Sequence, residues 1–534
     1  MIQLADIDLH GYPTIDLRTG TGESPPTCPP CIAFRPDPQL DGNLQVDPEI
    51  HLPSPGMDVD IAYYYNAVSV YNGPFGFGRN LSTNLLAQAS GSPAIVTLTR
   101  GNGIRVSFQD DGTGHFVAQT PGLLSSLVKD TTDSLWKETT LGGHLTAYPL
   151  NTTGMVTTLS YAQDAVGNYH TFTYASGLLS TLEDAVGRVV SFSYSGGLLQ
   201  TVEDWVGRLT TFAYDTASAS PKNLLTTVTG PSGCQTGYQY TTFTVATAIN
   251  SAGYEWLLSG LVDPNGYATS YTYDQQKRVV TRTIAGGAVT TYLYQPGAMW
   301  EVDALGNVAT QSFDANFALT NLVDAGGGST TYTRNANAQE TSRQNPLGAV
   351  WTTTYDASGN PSSNIDPLGF ITTYQHDAYN NPTTITYADG SIVTQVYGYA
   401  GSSFDTTGAK RRVQAVVDAL GNRTSYTFNG RGQVASVQNP LGFVTTYGYD
   451  SLGNRTSVQD ALGNVTTSVF DAAGNMIATV DALGNRSSVS YDPQSRPLTW
   501  TDTWRMRPLF LRIQTARMEQ QQLALWAVVW RFLG

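Results

Sequence analysis

The sequence predicts an all-β protein, a repeat array of β-hairpins preceded by a short irregular N-terminal segment. The first observation is a phrase spelled four times: DALGNRTSYTFNGRG, NPLGFVTTYGYDSLG, DALGNVTTSVFDAAG and DALGNRSSVSYDPQS. Its openings, Asp418, Asn439, Asp460 and Asp481, lie 21 residues apart, and a fixed period of that kind marks a repeat architecture. The second is alternation within the phrase. Val444 to Tyr449 is rich in β-branched and aromatic residues, and a strand there places Thr445, Tyr447 and Tyr449 on one face. The third is composition: 53 glycines, 30 tyrosines and only 13% charged residues among 534. That suits a turn-rich β surface of uncharged polar side chains.

Each unit reads as two short antiparallel strands and two turns. Asp450-Ser-Leu-Gly453-Asn454 closes the tyrosine-bearing strand, a second strand runs from Arg455 to Gln459, and Asp460-Ala-Leu-Gly463-Asn464 reverses the chain again. Aspartate at the start of a turn accepts backbone hydrogen bonds, and glycine followed by asparagine suits the left-handed positions of a tight reversal. Asp418, Gly421, Asp460, Gly463, Asp481 and Gly484 are therefore assigned as turn residues. Tyr447, Tyr449 and Tyr491 are assigned as the repeat's core aromatics. A lone hairpin is marginal in water, so the units must stack to bury that tyrosine face.

In chain order, residues 1–48 form a Pro-rich irregular lead-in. Cys28 and Cys31 are spaced as a CxxC that reads as a local disulfide or an idle pair, since no second CxxC or nearby His pair completes a zinc site. Residues 49–150 are β-rich without a clear period, with a hairpin predicted across Gly101-Asn102-Gly103. The spacing of Gly73, Gly76 and Gly78 reads as a turn, because no helix or Lys-Ser/Thr pair follows to make a phosphate loop. Residues 151–500 carry the repeats, first at a spacing of 20 from Asp164, Asp184 and Asp204. Leu178-Leu179, Leu198-Leu199 and Leu224-Leu225 recur as core positions. Between 204 and 263 the spacing loosens, and the excess near Thr216 to Ser220 and around Cys234 reads as loop insertion.

After Tyr491-Asp492 the pattern breaks, and residues 501–534 are atypical. Two readings stand: a terminal helix capping the array with Leu523, Trp526, Val529 and Trp530 on one face, or an interrupted reading frame. The abrupt change in mid-repeat favours the second.

The charge of −14 argues against nucleic acid and anionic membranes as partners. No run of 18 apolar residues predicts a membrane span. The N-terminus MIQLADIDLHGYPT lacks a basic region leading into an apolar one, so export needs another route or a longer parent chain. Six scattered histidines, without GxSxG or HExxH, assemble no catalytic, cofactor or metal site. The aspartates read as turn formers rather than calcium ligands. The sequons at Asn422, Asn454, Asn464 and Asn485 follow the repeat phrase rather than selection for glycans.

The DALGN phrase, followed about ten residues later by Tyr-Asp, resembles the RHS or YD repeat. Tyr63 to Gly78 resembles the domain that leads into such repeats, although the family usually has Trp where Arg79 stands. The resemblance spans roughly residues 50–500. It implies that the array winds into a spiral sheet, a partial YD-shell, as in bacterial polymorphic toxins, toxin-complex shells and teneurins. It also implies a non-catalytic shell or scaffold of a secreted or cell-surface protein, with an encapsulated C-terminal toxin and export machinery as partners. An adhesin-like protein binding cell-surface glycans or proteins is the alternative. The family's cleavage signal is absent at the C-terminal end, and Asp366-Pro367-Leu368-Gly369-Phe370 reads as a repeat turn. By resemblance the chain is a partial shell, too short for a complete cocoon and without its effector.

Overall fold

The computed structural model describes residues 50–502 except 70, 92–93, 121, 152–153, 217–222, 246–252, 399–411, 493–494 and 496, together with 35–36 and 43–45. Among the described residues there is no helix, and 39 strands from Leu86–Ser90 to Pro497–Asp502 join in one antiparallel sheet. The all-β expectation holds.

The sheet begins by closing on itself. Seven strands from Leu86–Ser90 to Leu145–Pro149 pair in succession. The next stretch pairs first with Leu86–Ser90, through Val156–Thr158, and then with Leu145–Pro149, through Tyr161–Gln163. Adjacent amides face opposite ways at the join: Leu159 N donates to Leu85 O at 3.1 Å and Ser160 N to Ala147 O at 2.7 Å. The enclosed core includes Leu98, Phe108, Phe116, Trp136 and Tyr148. Alternating apolar residues on every strand fill it, and no edge is left unpaired.

From Tyr169 the sheet runs on as a meander of hairpins, Val444–Tyr449 pairing with Val434–Gln438 on one side and Arg455–Gln459 on the other. A one-residue register shift recurs in successive hairpins just before the repeat's terminal aromatic position, as between Gly448 and Tyr449 or Thr427 and Phe428. A bulge bends and twists its strand. Repeated at one edge, it coils the sheet.

Because strands alternate in direction, successive turns fall on opposite edges. The first edge carries Asp164–Asn168 and, much later, Asp460–Asn464; the second carries Asp450–Asn454. The coiling brings the second edge of later repeats over the first edge of earlier ones. Arg412 Nη2 donates to Val166 O at 2.8 Å, and Arg208 Nη1 to Ser495 Oγ at 3.1 Å. Gly122 and Leu124 lie beside Ala338 and Gly359. The sheet as a whole stays open, since Pro497–Asp502 pairs only with Arg486–Tyr491 among the described residues.

One reading of the spacing changes. The residues in excess between 204 and 263 do not loop out around Cys234, which ends an ordinary turn with Gly230 N donating to Cys234 O at 2.8 Å. Downstream of that turn the chain runs in two long strands, Gln235–Val245 and Gly253–Val262, paired over nine positions, while the insertion expected near Thr216 to Ser220 lies largely outside the described residues.

Candidate functional site

The turns show why the phrase recurs. In Asp460–Asn464, Asp460 Oδ1 accepts from Leu462 N at 2.9 Å and Asn464 N at 2.8 Å, while Gly463 N donates to Asp460 O at 3.0 Å. Gly463 takes φ of +87°, open to glycine at no steric cost. Asn464 does not share that conformation, contrary to the turn chemistry expected of it. It clamps the turn instead, its Nδ2 donating to Asp460 Oδ2 at 2.8 Å. Asp418 with Gly421 and Asn422, and Asp481 with Gly484 and Asn485, repeat this geometry. The three carboxyls are held below the ordinary carboxylate value, first by the Asn side-chain amide and then by backbone N–H groups. Asp366–Phe370 is the same kind of turn, with Gly369 at φ +85°.

In six of the described repeats the tyrosine before the second-edge turn tethers the start of the neighbouring strand, whereas the buried Tyr194 hydroxyl at the equivalent place makes no such bond. Tyr449 Oη donates to Val434 O at 2.8 Å and Tyr491 Oη to Met476 O at 3.1 Å. Tyr240, Tyr273, Tyr294 and Tyr355 each do the same to the carbonyl 15 residues back. The constant interval was visible in the sequence as a tyrosine and, except at Glu340, an apolar residue in fixed register, but the hydroxyl's role was not. Tyr447, Tyr449 and Tyr491 themselves are half-buried, for a reason that lies earlier in the chain.

Residues 50–81 form a plug seated on the inner face of the first repeats. Strands Val59–Ile61, Tyr63–Asn66 and Arg79–Leu81 bury Ile61, Tyr63, Tyr65 and Leu81 against Leu182, Phe192, Phe212, Leu257 and Tyr271. Tyr63 meets Phe212 at 5.0 Å between ring centroids, and Tyr65 Oη accepts from Leu258 N at 2.9 Å. Backbone bonds add to this, Leu199 N donating to Pro74 O at 2.8 Å and Phe77 N to Asn223 O at 2.7 Å. Arg79 is 1% exposed. Its Nε donates to Tyr240 Oη at 3.1 Å, and its guanidinium lies 4.2 Å from the Tyr238 ring and 5.5 Å from that of Tyr65. Aromatic faces stabilise this cation in place of a carboxylate, and burial pushes the Tyr240 phenol up.

Two residues before the tether, the same inner position is filled by Phe192, Phe212, Tyr238, Tyr271 and Tyr292, all buried. Beyond the plug it becomes Gln311, Tyr332, Thr353, Tyr374, Gln395, Tyr426, Tyr447 and Ser468, each half-buried. The inner wall thus turns from apolar and covered to mixed and open. On the other face, hydroxyls pair across strands, as in Thr427 with Ser436 at 2.6 Å and Thr354 with Ser363 at 2.8 Å.

The first edge changes along the chain too. At the third position of its turns, Val166, Val186 and Val206 are half-buried. Leu305, Leu347, Leu368, Leu420, Leu441, Leu462 and Leu483, at the same position later, are 80–92% exposed. A cleft of about 630 Å³ lies where the windings meet, lined by Val206, Arg208, Asp471, Asn475, Tyr491 and Asp492.

Cys28, Cys31 and the residues beyond 502 lie outside the described residues. Among the described residues no His, Cys, Asp and Glu side chains gather as a metal site, and no helix is long and apolar enough to cross a membrane.

The RHS Repeat family matches residues 257–290, 355–392 and 428–465. No curated protein matches the chain. Similar solved structures include a Photorhabdus luminescens Tc holotoxin pore, with 11% identity and a TM-score of 0.40 over 79% of this chain and 25% of that one. A TcdB2-TccC3-Cdc42 complex gives 13% and 0.38 over 78% and 22%. The N-terminal domain of effector SpvB from Salmonella typhimurium strain LT2 gives 12% and 0.19 over 50% and 99%. The chain spans about a quarter of the length of the first of these.

Proposed function

We propose that this chain, an RHS-repeat protein by its three matched stretches and its 21-residue unit, is the non-catalytic wall of a shell in a secreted or cell-surface protein. In this reading residues 49–150 are the lead-in domain, 151–500 the wall, and 1–48 and 501–534 flanking segments. The open inner face receives a polypeptide cargo, an effector C-terminal to the repeats.

The observation that carries the reading is the change along one inner position. It is apolar and sealed by the plug from Phe192 to Tyr292, and from Gln311 onward it is mixed, half-buried and not covered by the plug. A wall that closes one end and leaves a wettable interior suits an unfolded or loosely held chain better than a small ligand. An adhesin-like protein would turn its aromatic row outward; here that row shares the plug's face and the opposite face carries paired hydroxyls.

Cysteine labelling tests this. Ser468→Cys, on the inner face, should react with a small maleimide and resist one carrying a long polyethylene glycol, whereas Thr427→Cys, on the outer face, should accept both. Equal labelling of the two sites by the large reagent would remove the enclosed interior and with it the shell.

A further inference from the structure

The windings of this chain already contact one another through their turns, and the contact has a direction. The second edge of residues 335–495 covers the first edge of residues 119–208, through Arg412 on Val166 O, Arg208 on Ser495 Oγ and Gly359 beside Leu124. Where that contact is made, the third turn position holds valine and is half-buried, as at Val166 and Val206. Where no described winding lies over the first edge, seven of the twelve turns hold leucine at this position, each 80–92% exposed, and the other five hold Ser232, Asn265, Gly286, Gly326 and Asp389. Phe370 and Phe443, two positions further along their turns, are 58% and 54% exposed and widen the apolar strip. A repeated apolar rim of this kind marks an interaction surface rather than ordinary surface scatter.

Part of the complementary surface is also exposed among the described residues. The second edge of the first winding carries the turn Asp314–Ala318, whose Phe317 is 62% exposed in a left-handed conformation at φ +60°. Among the described residues, both halves of the winding contact are thus exposed, the leucines on the first edge and Phe317 on the second.

We propose that the leucine rim is an assembly surface that takes the free second edge of another copy of this chain, repeating between molecules the contact made within one. The two edges differ, so the interface is heterologous and leads to open stacks rather than closed dimers. Its apolar area is removed from water on contact, which supplies the driving force. The interface is independent of any cargo, because the rim lies on the turns and not on the inner face.

Sedimentation velocity of the full chain over about two decades of concentration tests this. The wild type is expected to form concentration-dependent multimers, and a Leu420→Asp/Leu441→Asp/Leu462→Asp variant to remain a single-chain species with unchanged far-UV circular dichroism. These leucines touch little in their own chain, so the variant keeps its fold. A Phe317→Asp variant attacks the interface from the other side and should fail to associate alone. Mixed, the two variants retain one intact leucine rim and one intact second edge between them, and should form 1:1 dimers. A monomeric wild type at every concentration, or a triple variant that assembles as the wild type does, would overturn the proposal. A mixture that stays monomeric would do the same.

Discussion

The repeats from Tyr169 to Val302 and those from Val308 to Tyr491 are written in nearly the same phrase, yet they live in different solvents. In the first group the inner aromatic is sealed beneath Tyr63, Tyr65 and Arg79; in the second the equivalent side chain is half-exposed. Hairpin geometry is alike in both, with the same turn bonds and the same tether across 15 residues. Turns and tethers therefore specify the sheet locally, and burial under the plug decides where the stability resides. In a repeat array the total is close to a sum of local and neighbour contributions, so substitutions at matched positions should report the two environments separately.

The largest contrast is expected at the inner position. Tyr292→Ala removes a ring that is 2% exposed and should cost about 3–5 kcal/mol, the range for emptying a packed aromatic site. Tyr447→Ala removes a half-buried ring stacked near the Arg455 guanidinium at 5.4 Å and should cost only ~1–2 kcal/mol. Urea unfolding followed by hydrogen exchange in each segment measures both. Equal losses would mean that the plug adds no stability to the wall.

A smaller contrast separates two glycines in left-handed conformations. Gly463→Ala meets nothing closer than Gln459 Nε2 at 3.9 Å, so its cost is the backbone strain of about 1–2 kcal/mol. At Gly56, φ is +86° and a Cβ would lie 2.3 Å from both Asn168 Nδ2 and Asp164 Oδ2. Gly56→Ala therefore carries the same strain and also pushes apart the clamp of the first repeat turn, Asn168 Nδ2 to Asp164 Oδ2 at 2.6 Å. Its urea midpoint should fall further than that of Gly463→Ala. The reverse order would mean that the plug tip is not seated on that turn.

The array was legible in the sequence because its determinants are local. A period of 21 spans one unit, an Asp-x-x-Gly turn and an alternating strand each fit within a few residues, and the bends of the sheet follow from the bulge that most hairpins repeat. The plug was not legible, since nothing in Tyr63-Tyr-Tyr65-Asn66 points to partners such as Phe212 or Leu258, more than a hundred residues on. The closure at Leu159 and Ser160 is hidden for the same reason, as one bent strand must satisfy two others far apart in sequence. Arg79 was visible only as a departure from the family's usual Trp, and its ring-lined pocket explains how a cation fits there. The exchange of valine for leucine at the third turn position could have been read from the sequence. It becomes meaningful only once Val166 is seen beneath Arg412.

The smallest expected effects come from pH, and they fall on the two regions from opposite sides. Asp418, Asp460 and Asp481 lie in the open region with pKa values held below the ordinary 3.8, chiefly by their Asn partners. A depressed folded-state value contributes stability that is present above the unfolded value and is lost as pH falls through the folded one. Tyr240 and Tyr273, in the covered region, have phenols raised above 10.0 by burial. Their contribution is intact below the unfolded value and is lost as pH rises through the folded one. Acid should thus loosen the open repeats first and alkali the covered ones, with segment-resolved exchange and tyrosinate absorbance as the readouts. Asn464→Ala isolates one turn: the Asp460 carboxyl, followed by NMR, should titrate closer to the ordinary value while the alkaline limb stays where it was. If both limbs moved together, turn and plug would be coupled through the sheet, and the division between local geometry and burial would fail.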